Sequence, residues 1–302
     1  YRRELDLADA LCRIHYVQDG VRFTREAFVT APGETIVLRL AAGSPGRISF
    51  DARLVRPERA TSEAVGSDGL LLHGQLNNGR EGGTGVRYAA QLKVIPRGGE
   101  IDVRDGVLHV RHADEALLLI TAATDIKTFA GRHLSDARAA AAADLARVAG
   151  DSFDALRTAH LADYRRYFNR VSLQLGAPDP AAAERTAPQR LAAFSAGAAD
   201  PSLATLYFNF GRYLLISSSR PGGLPPNLQG IWADQIQTPW NGDWHLNINA
   251  QMNYWPAEVT NLSDLHEPMF ALIGSLQAPG AKTARAYYNA RGWVAFLLAN
   301  PW

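Results

Sequence analysis

From Tyr1 to about residue 127, apolar and polar side chains tend to alternate. Val21 and Phe23 alternate with Arg22 and Thr24; Ile48, Phe50, Ala52 and Leu54 keep the same beat, as do Val86, Tyr88, Ala90, Leu92 and Val94. Period-2 spacing predicts strands with one buried and one wet face. Residues 36–40 follow a Pro32-Gly33 break, and residues 116–122 form a continuous apolar run, as expected of a strand covered on both faces. Asp105-Gly106, between 101–103 and 107–110, is a two-residue hairpin signal. With no helical period between the strands, the pattern predicts an antiparallel β-sandwich.

After residue 130 the period changes. Residues 137–148 are alanine-rich and predict a solvated linker helix. Residues 153–168 place Leu156, His160, Leu161, Tyr164 and Phe168 at helical spacing behind a Ser152 cap. Residues 171–175 read as one more strand, and 176–188, rich in Ala and Pro, as a linker. Helices follow over 191–194, 203–218, 249–262, 267–276 and 281–288. The division expected is therefore 1–130, a sandwich incomplete at its start; 131–187, a helical linker with one strand; and 188–302, a helical domain.

Composition narrows the function. Of 302 residues, 47% are apolar and 20% charged, with 31 Lys and Arg against 30 Asp and Glu. That balance argues against a disordered chain and supplies no basic stripe for nucleic acid. No apolar run reaches the ~18–20 residues of a membrane helix, so neither nucleic acid nor a membrane is an expected partner. The single cysteine, Cys12, excludes an internal disulfide and a thiolate metal cluster. The chain starts at Tyr1 without a leader pattern and stops at Asn300-Pro301-Trp302, so it reads as an excerpt of a longer polypeptide.

All six tryptophans follow residue 231: Trp232, Trp240, Trp244, Trp255, Trp293 and Trp302. The 61 residues between Arg220 and Lys282 contain no Lys or Arg, yet they hold Asn227, Asn241, Asn247, Asn249, Asn253 and Asn261 and five Gln. Aromatic faces receive the C–H patches of sugars, and amides both donate to and accept from hydroxyls. Phosphate and carboxylate ligands favour Arg and Lys instead. On composition alone, a carbohydrate site and an aromatic core both stay open.

Order within this segment adds to the picture. Pro221-Gly222-Gly223-Leu224-Pro225-Pro226-Asn227 interrupts any helix, so 227–245 is expected to be a long structured loop, a form that is usually functional. Trp244-His245-Leu246-Asn247-Ile248-Asn249 alternates, which predicts His245, Asn247 and Asn249 on one face of a short extended stretch.

Two runs, Ser217-Ser-Ser-Arg-Pro-Gly-Gly-Leu-Pro-Pro-Asn-Leu-Gln-Gly-Ile-Trp232 and Pro239-Trp-Asn-Gly-Asp-Trp-His-Leu-Asn-Ile-Asn-Ala-Gln-Met-Asn-Tyr-Trp-Pro-Ala-Glu-Val-Thr-Asn-Leu262, closely resemble glycoside hydrolase family 95. The resemblance implies an α+β multidomain fold: an N-terminal antiparallel β-sandwich, a helical linker, then the first part of an (α/α)6 catalytic barrel. It implies an exo-acting, inverting α-L-fucosidase that favours α-1,2 linkages, with α-L-galactosidase the alternative inside the family. The implied substrate is a fucosylated oligosaccharide or polysaccharide, such as xyloglucan side chains or host glycans, met in the periplasm or outside the cell. No cofactor or metal is implied.

Inversion needs an acid for the leaving oxygen and, on the opposite face, a group that positions water. In the resembled family the acid is a Glu, and asparagine amide oxygens, polarised by a more distant Asp, hold the water. The asparagine pair corresponds to Asn247 and Asn249 here. His245 falls at a sugar-contacting position; Trp244, Asp243, Glu258 and Trp232 complete the expected substrate contacts, with Asp243 and Glu258 either binding hydroxyls or bracing the loop. The family's Glu and Asp lie downstream of Trp302. Twelve helices of ~11–12 residues with loops of ~5 need about 190 residues, and 115 remain after Ala187. The excerpt alone is therefore expected to be inactive.

Rival readings are weaker. His245, Asp243 and His266 suggest a metal hydrolase, but no His-Glu-x-x-His helix or known ligand spacing accompanies them. A non-catalytic carbohydrate-binding protein would use Trp232, Trp240 and Trp244 as a platform and has no need of the asparagine pair. Tyr254 and Trp255 are expected to pack, Arg220 to anchor the loop, and Trp293 either to line the pocket or to pack. The run Gly79-Arg-Glu-Gly-Gly-Thr-Gly85 lacks the Lys-Ser/Thr ending of a phosphate loop and reads as a hairpin loop.

Overall fold

The computed structural model describes residues 1–177 and 180–299. The chain divides into two compact units: one holds Tyr1–Lys127 with His133–Arg165, the other Thr128–Arg132 with the residues from Arg166 on.

The first unit contains eleven strands: β1 Arg2–Asp6, β2 Leu11–Gln18, β3 Val21–Thr30, β4 Thr35–Ala42, β5 Ile48–Ala52, β6 Thr61–Val65, β7 Gly69–Gln75, β8 Arg87–Arg97, β9 Glu100–Arg104, β10 Val107–Ala113 and β11 Glu115–Thr124. Eight form one sheet in the order β1-β2-β3-β4-β11-β8-β7-β6, and β5-β10-β9 form the second; all pairings are antiparallel. The sandwich is thus as expected, and β9-β10 turn through Asp105-Gly106, both at positive φ. Strands β1, β2, β6 and β7 carry little apolar alternation. β1 and β6 are sheet edges, where β1 exchanges ion pairs instead: Arg2 with Glu4 at 2.7 Å, and Asp6 with Arg13 of β2 at 2.9 Å.

The centre of the large sheet is buried on both faces. Ala116 and Leu118 of β11 pack with Leu70, Leu92, Val94, Leu108 and Val110 between the sheets. Leu117 and Leu119 point the other way, onto Leu145, Val148, Phe153 and Leu156. This corrects one expectation. Helix α1, Ala137–Val148, is not a solvated linker helix: Ala137, Ala140, Ala141, Leu145 and Val148 are buried against the sheet, and Thr121 Oγ1 donates to the Ala141 carbonyl at 2.8 Å. Its methyl side chains allow close approach, so a composition chosen for packing reads as one chosen for propensity. Asp136 caps α1 by accepting from the Arg138 and Ala139 amides. Helix α2, Phe153–Phe168, starts at the expected Ser152 cap and ties back through Tyr164, whose hydroxyl donates to the Leu7 carbonyl at 2.7 Å.

The second unit is helical: α3 Pro180–Ala183, α4 Ala187–Ser195, α5 Pro201–Ser218, α6 Asn249–Val259 and α7 Glu267–Tyr288, with a two-residue ladder between β12, Trp244–His245, and β13, Leu298–Ala299. The strand expected at 171–175 is absent. Its backbone is served by side chains of α5: Arg212 donates to the Phe168 and Val171 carbonyls at 2.7 and 3.3 Å, and Thr205 Oγ1 accepts from the Leu175 amide. A guanidinium 1% exposed thereby closes the C-terminus of α2, where the helix dipole favours a cation. The two helices expected over 267–288 are one. Pro279-Gly280 does not end α7; a Cβ at Gly280 would lie 2.6 Å from the Val294 carbonyl, so the glycine lets that segment close on the helix. Among the described residues no helix is long and apolar enough to cross a membrane.

Candidate active site

The loop after α5 is tied down at its start. Ser219 is buried and donates to the Leu265 carbonyl while sharing a 2.7 Å hydrogen bond with the Tyr254 hydroxyl. Burial pushes the Tyr254 phenol up to about 12. Arg220 donates to the Ile216 carbonyl and lies 4.7 Å over the Tyr167 ring, the anchoring role expected of it. Pro225 and Pro226 are buried.

Beyond the prolines the loop is held mainly by amides. Asn227 Oδ1 accepts from the Gln229 amide, a side-chain turn that polar Asx residues favour. Gln229 Nε2 donates to the Pro239 carbonyl at 2.7 Å, and Gln237 Nε2 to Asn241 Oδ1 at 2.6 Å. These bonds clasp a single 3-10 turn, Pro239–Gly242, in which Trp240 and Asn241 both take left-handed backbone angles.

The stretch from Trp244 is extended for two residues only. Trp244 and His245 pair with Ala299 and Leu298, residues 246–248 turn, and α6 begins at Asn249. The expected continuous alternation through Asn249 is therefore replaced by a strand–turn–helix corner. Gln251 Nε2, in the first turn of α6, donates to the Leu246 carbonyl at 2.5 Å and closes that corner. Asn247 sits on it exposed and Asn249 half-buried; among the described residues neither carboxamide has a hydrogen-bond partner. Two intervening peptide units keep their Cα atoms within ~7 Å. His245 is half-buried, and its Nε2 is buried without a partner, as are Gln229 Oε1 and Gln251 Oε1.

The other expected contacts separate. Trp244 is 5% exposed, its indole N–H donates to the Pro225 carbonyl at 3.1 Å, and its ring packs on Phe129; it is a buried anchor and not a sugar platform. Glu258 lies nine residues beyond Asn249, about 13.5 Å along the helix, and pairs with His266 at 3.0 Å, so the structure does not bring it to the asparagines. Asp243 is half-buried directly before β12. Trp232 is 48% exposed, with its ring over Gly230. Trp255, expected to pack, is 60% exposed, whereas Tyr254 is buried. Trp293 lies against Gly280 of α7, and Trp302 falls outside the described residues.

His266 stacks on Tyr254, lies tilted against Phe270 and pairs with Glu258, and the suggested metal trio does not assemble among the described residues. Among the described residues no group of three or more His, Cys, Asp or Glu could hold a metal ion. The structure instead adds Gln229 and Gln251, whose unsatisfied oxygens each call for a donor, since an orphaned buried acceptor costs about 1–3 kcal/mol. Their signal in the sequence was the density of amides in a cation-free segment, which did not single out either residue.

The sequence profile of the glycosyl hydrolase family 95 catalytic domain matches residues 152–302, and that of the glycosyl hydrolase family 65 N-terminal domain matches residues 1–128. "Alpha-L-fucosidase 2" of Arabidopsis thaliana is 35% identical over 330 residues, covering 100% of this chain and 39% of its own length. "Probable alpha-fucosidase A" of Aspergillus niger is 33% identical, covering 97% of this chain and 38% of its own length. The chain thus spans about two-fifths of the length of these curated relatives. Among solved structures, "Putative kojibiose phosphorylase from human microbiome" is similar at a TM-score of 0.56 and 12% identity over 98% of this chain and 38% of that one, a likeness of fold.

Proposed function

The chain belongs to glycoside hydrolase family 95, and from that premise we propose that the complete polypeptide is an exo-acting α-L-fucosidase that removes terminal, α-1,2-linked L-fucose with inversion. The observation that carries this reading is the corner at residues 245–249. Among the described residues two carboxamides without a hydrogen-bond partner stand there beside an imidazole with an unpartnered nitrogen, in a segment without Lys or Arg.

In the proposed reaction the amide oxygens of Asn247 and Asn249 accept hydrogen bonds from a water and aim its oxygen at the anomeric carbon. The C–O bond to the leaving sugar breaks as a carboxylic acid protonates that oxygen, and the new C–O bond forms on the opposite face. A carboxamide cannot take up the water's proton at neutral pH, so a carboxylate must accept it. Both acidic groups lie in the part of the polypeptide beyond residue 302, the part that also completes the (α/α)6 barrel. Exposed Tyr207, Trp255, Val259 and Tyr287 on α5, α6 and α7 support that reading, since these helices leave large apolar side chains uncovered. His245 Nε2 binds a fucose hydroxyl, and the enzyme works in the periplasm or outside the cell, where fucosylated glycans are met.

The test follows hydrolysis of an α-1,2-fucosylated lactose by proton NMR. The complete polypeptide should release β-L-fucose first, and residues 1–302 alone should release none. Asn247→Ala and Asn249→Ala should each lower kcat by about 10²–10³-fold with melting midpoints nearly unchanged. Near-normal rates in both variants, or α-L-fucose as the first product, would remove the pair from the mechanism. Turnover of the α-L-galactosyl analogue in preference to the fucoside would reassign the sugar.

A further inference from the structure

Resting on the fucosidase reading above, we propose that Trp240 is the platform for the sugar on the leaving-group side of the scissile bond, and so selects which fucosylated glycans are cleaved. The argument begins with the backbone. Trp240 and Asn241 are consecutive residues at φ 59, with ψ 27 and 9. A bulky side chain in the left-handed region is a genuine outlier, and such strain gathers at ligand-binding positions. Here it is held from several directions: Gln229 Nε2 bonds the Pro239 carbonyl at 2.7 Å, Gln237 Nε2 bonds Asn241 Oδ1 at 2.6 Å, and the Asn241 amide bonds the Thr238 carbonyl at 3.1 Å.

What this turn delivers is an indole that is 71% exposed. Among the described residues the burial that would ordinarily offset the strain is missing, and the strained turn, unlike the regular helices that carry Tyr207, Trp255 and Tyr287, holds the side chain out from the loop. Its position relative to the catalytic corner is defined. The indole and the His245 imidazole meet edge to face, with ring centroids 6.1 Å apart and planes at 78°. At that spacing the two rings touch, so groups resting on them lie side by side. The two rings also differ in depth, His245 half-buried and Trp240 turned to solvent. A terminal sugar held at His245, Asn247 and Asn249 therefore places its neighbour at the indole, with the glycosidic oxygen between them. An indole offers a flat face for the C–H patch of a neutral sugar, and residues 221–281 carry no Lys or Arg that would select a charged one.

The test pairs two substrates in the complete polypeptide: an α-1,2-fucosylated lactose, and α-L-fucosyl fluoride, whose leaving group is a single atom. Trp240→Gly keeps the turn, because glycine adopts φ near +60° freely. It should lower kcat/KM on the lactose about 10- to 100-fold, mainly through KM, leave the fluoride within about twofold, and keep the melting midpoint. Trp240→Phe should recover most of the lost kcat/KM. Equal loss on both substrates, failure of the glycine variant to fold, or an unchanged rate on the lactose would each overturn the platform. If the unsubstituted polypeptide hydrolyses neither substrate, the fucosidase reading itself falls and the platform with it.

Discussion

Trp244→Phe distinguishes an anchor from a sugar contact. The native indole is 5% exposed, with its ring on Phe129 and its N–H 3.1 Å from the Pro225 carbonyl. Phenylalanine keeps one aromatic ring there and loses two things. The first is about 40 Å³ of side chain, which at ~24 cal/mol per Å³ of cavity costs about 1 kcal/mol. The second is the donor to a buried carbonyl, and an acceptor left without one costs about 1–3 kcal/mol. The sum is about 2–4 kcal/mol. For a unit of this size each kcal/mol moves the midpoint by roughly 2–4 °C, so a fall of about 4–16 °C is expected in a melt followed by near-ultraviolet circular dichroism. Initial rates on α-L-fucosyl fluoride, measured well below that midpoint, should drop less than about tenfold, because the corner carrying Asn247 and Asn249 loosens but keeps its groups. An unchanged midpoint with a hundredfold loss of rate would mean that the indole touches the sugar, and the anchor argument would be wrong.

Two further outcomes follow from the geometry. Glu258→Gln keeps an oxygen able to accept from His266 Nδ1, at a separation now of 3.0 Å, and lies at the far end of α6; kcat/KM should stay within about threefold, and a hundredfold loss would bring Glu258 to the substrate after all. Asp200→Asn concerns pH: the hydrogen bond from Arg190 holds the Asp200 carboxyl far below the usual carboxylate range. An unfolded Asp titrates near ~3.9, so the charge stabilises the folded state fully above that pH and the benefit is lost as pH falls towards the folded value. The asparagine variant, which still caps α5, should unfold at lower urea than the native protein at pH 7, with the gap narrowing at pH 3. A gap of equal size at both pH values would refute the ion-pair account.

What the sequence makes legible, and what it hides, divides by the kind of contact involved. Strands β3, β4, β5, β8, β9, β10 and β11 could be read because one face meets the core, and that imposes period 2. The edge strands β1 and β6 lack this period, since their side chains meet water or one another across an ion pair. The face of α1 was hidden because alanine reports propensity and packing with the same letter. The family motif singled out Asn247, Asn249 and His245 as candidates, but the corner that carries them was not legible: alternation in Trp244–Asn249 is shared by a strand and by a turn that leads into a helix. Trp244 and Trp240 look alike in the sequence. Only the three-dimensional arrangement separates the one whose N–H finds Pro225 from the one that a left-handed backbone turns to solvent.

That separation bears on how neutral groups serve the proposed catalysis. An amide oxygen contributes a dipole and no charge, so its value depends on being held in the right direction before the water arrives. The loop is divided accordingly. Ser219, Tyr254, Pro225, Pro226 and Trp244 are buried and supply rigidity, while Gln229 and Gln251 use one amide atom each to clasp the backbone on either side of β12. Among the described residues their remaining oxygens and His245 Nε2 are buried without a partner, a cost to folding, whereas Asn247 is exposed and Asn249 half-buried; in the proposed reaction water and sugar engage these groups. A more stable loop would satisfy those atoms internally and leave nothing with which to orient a nucleophile. The unmet hydrogen-bonding capacity at this corner is therefore the physical form that preorganisation takes in the proposed mechanism, where neutral amides aim the water.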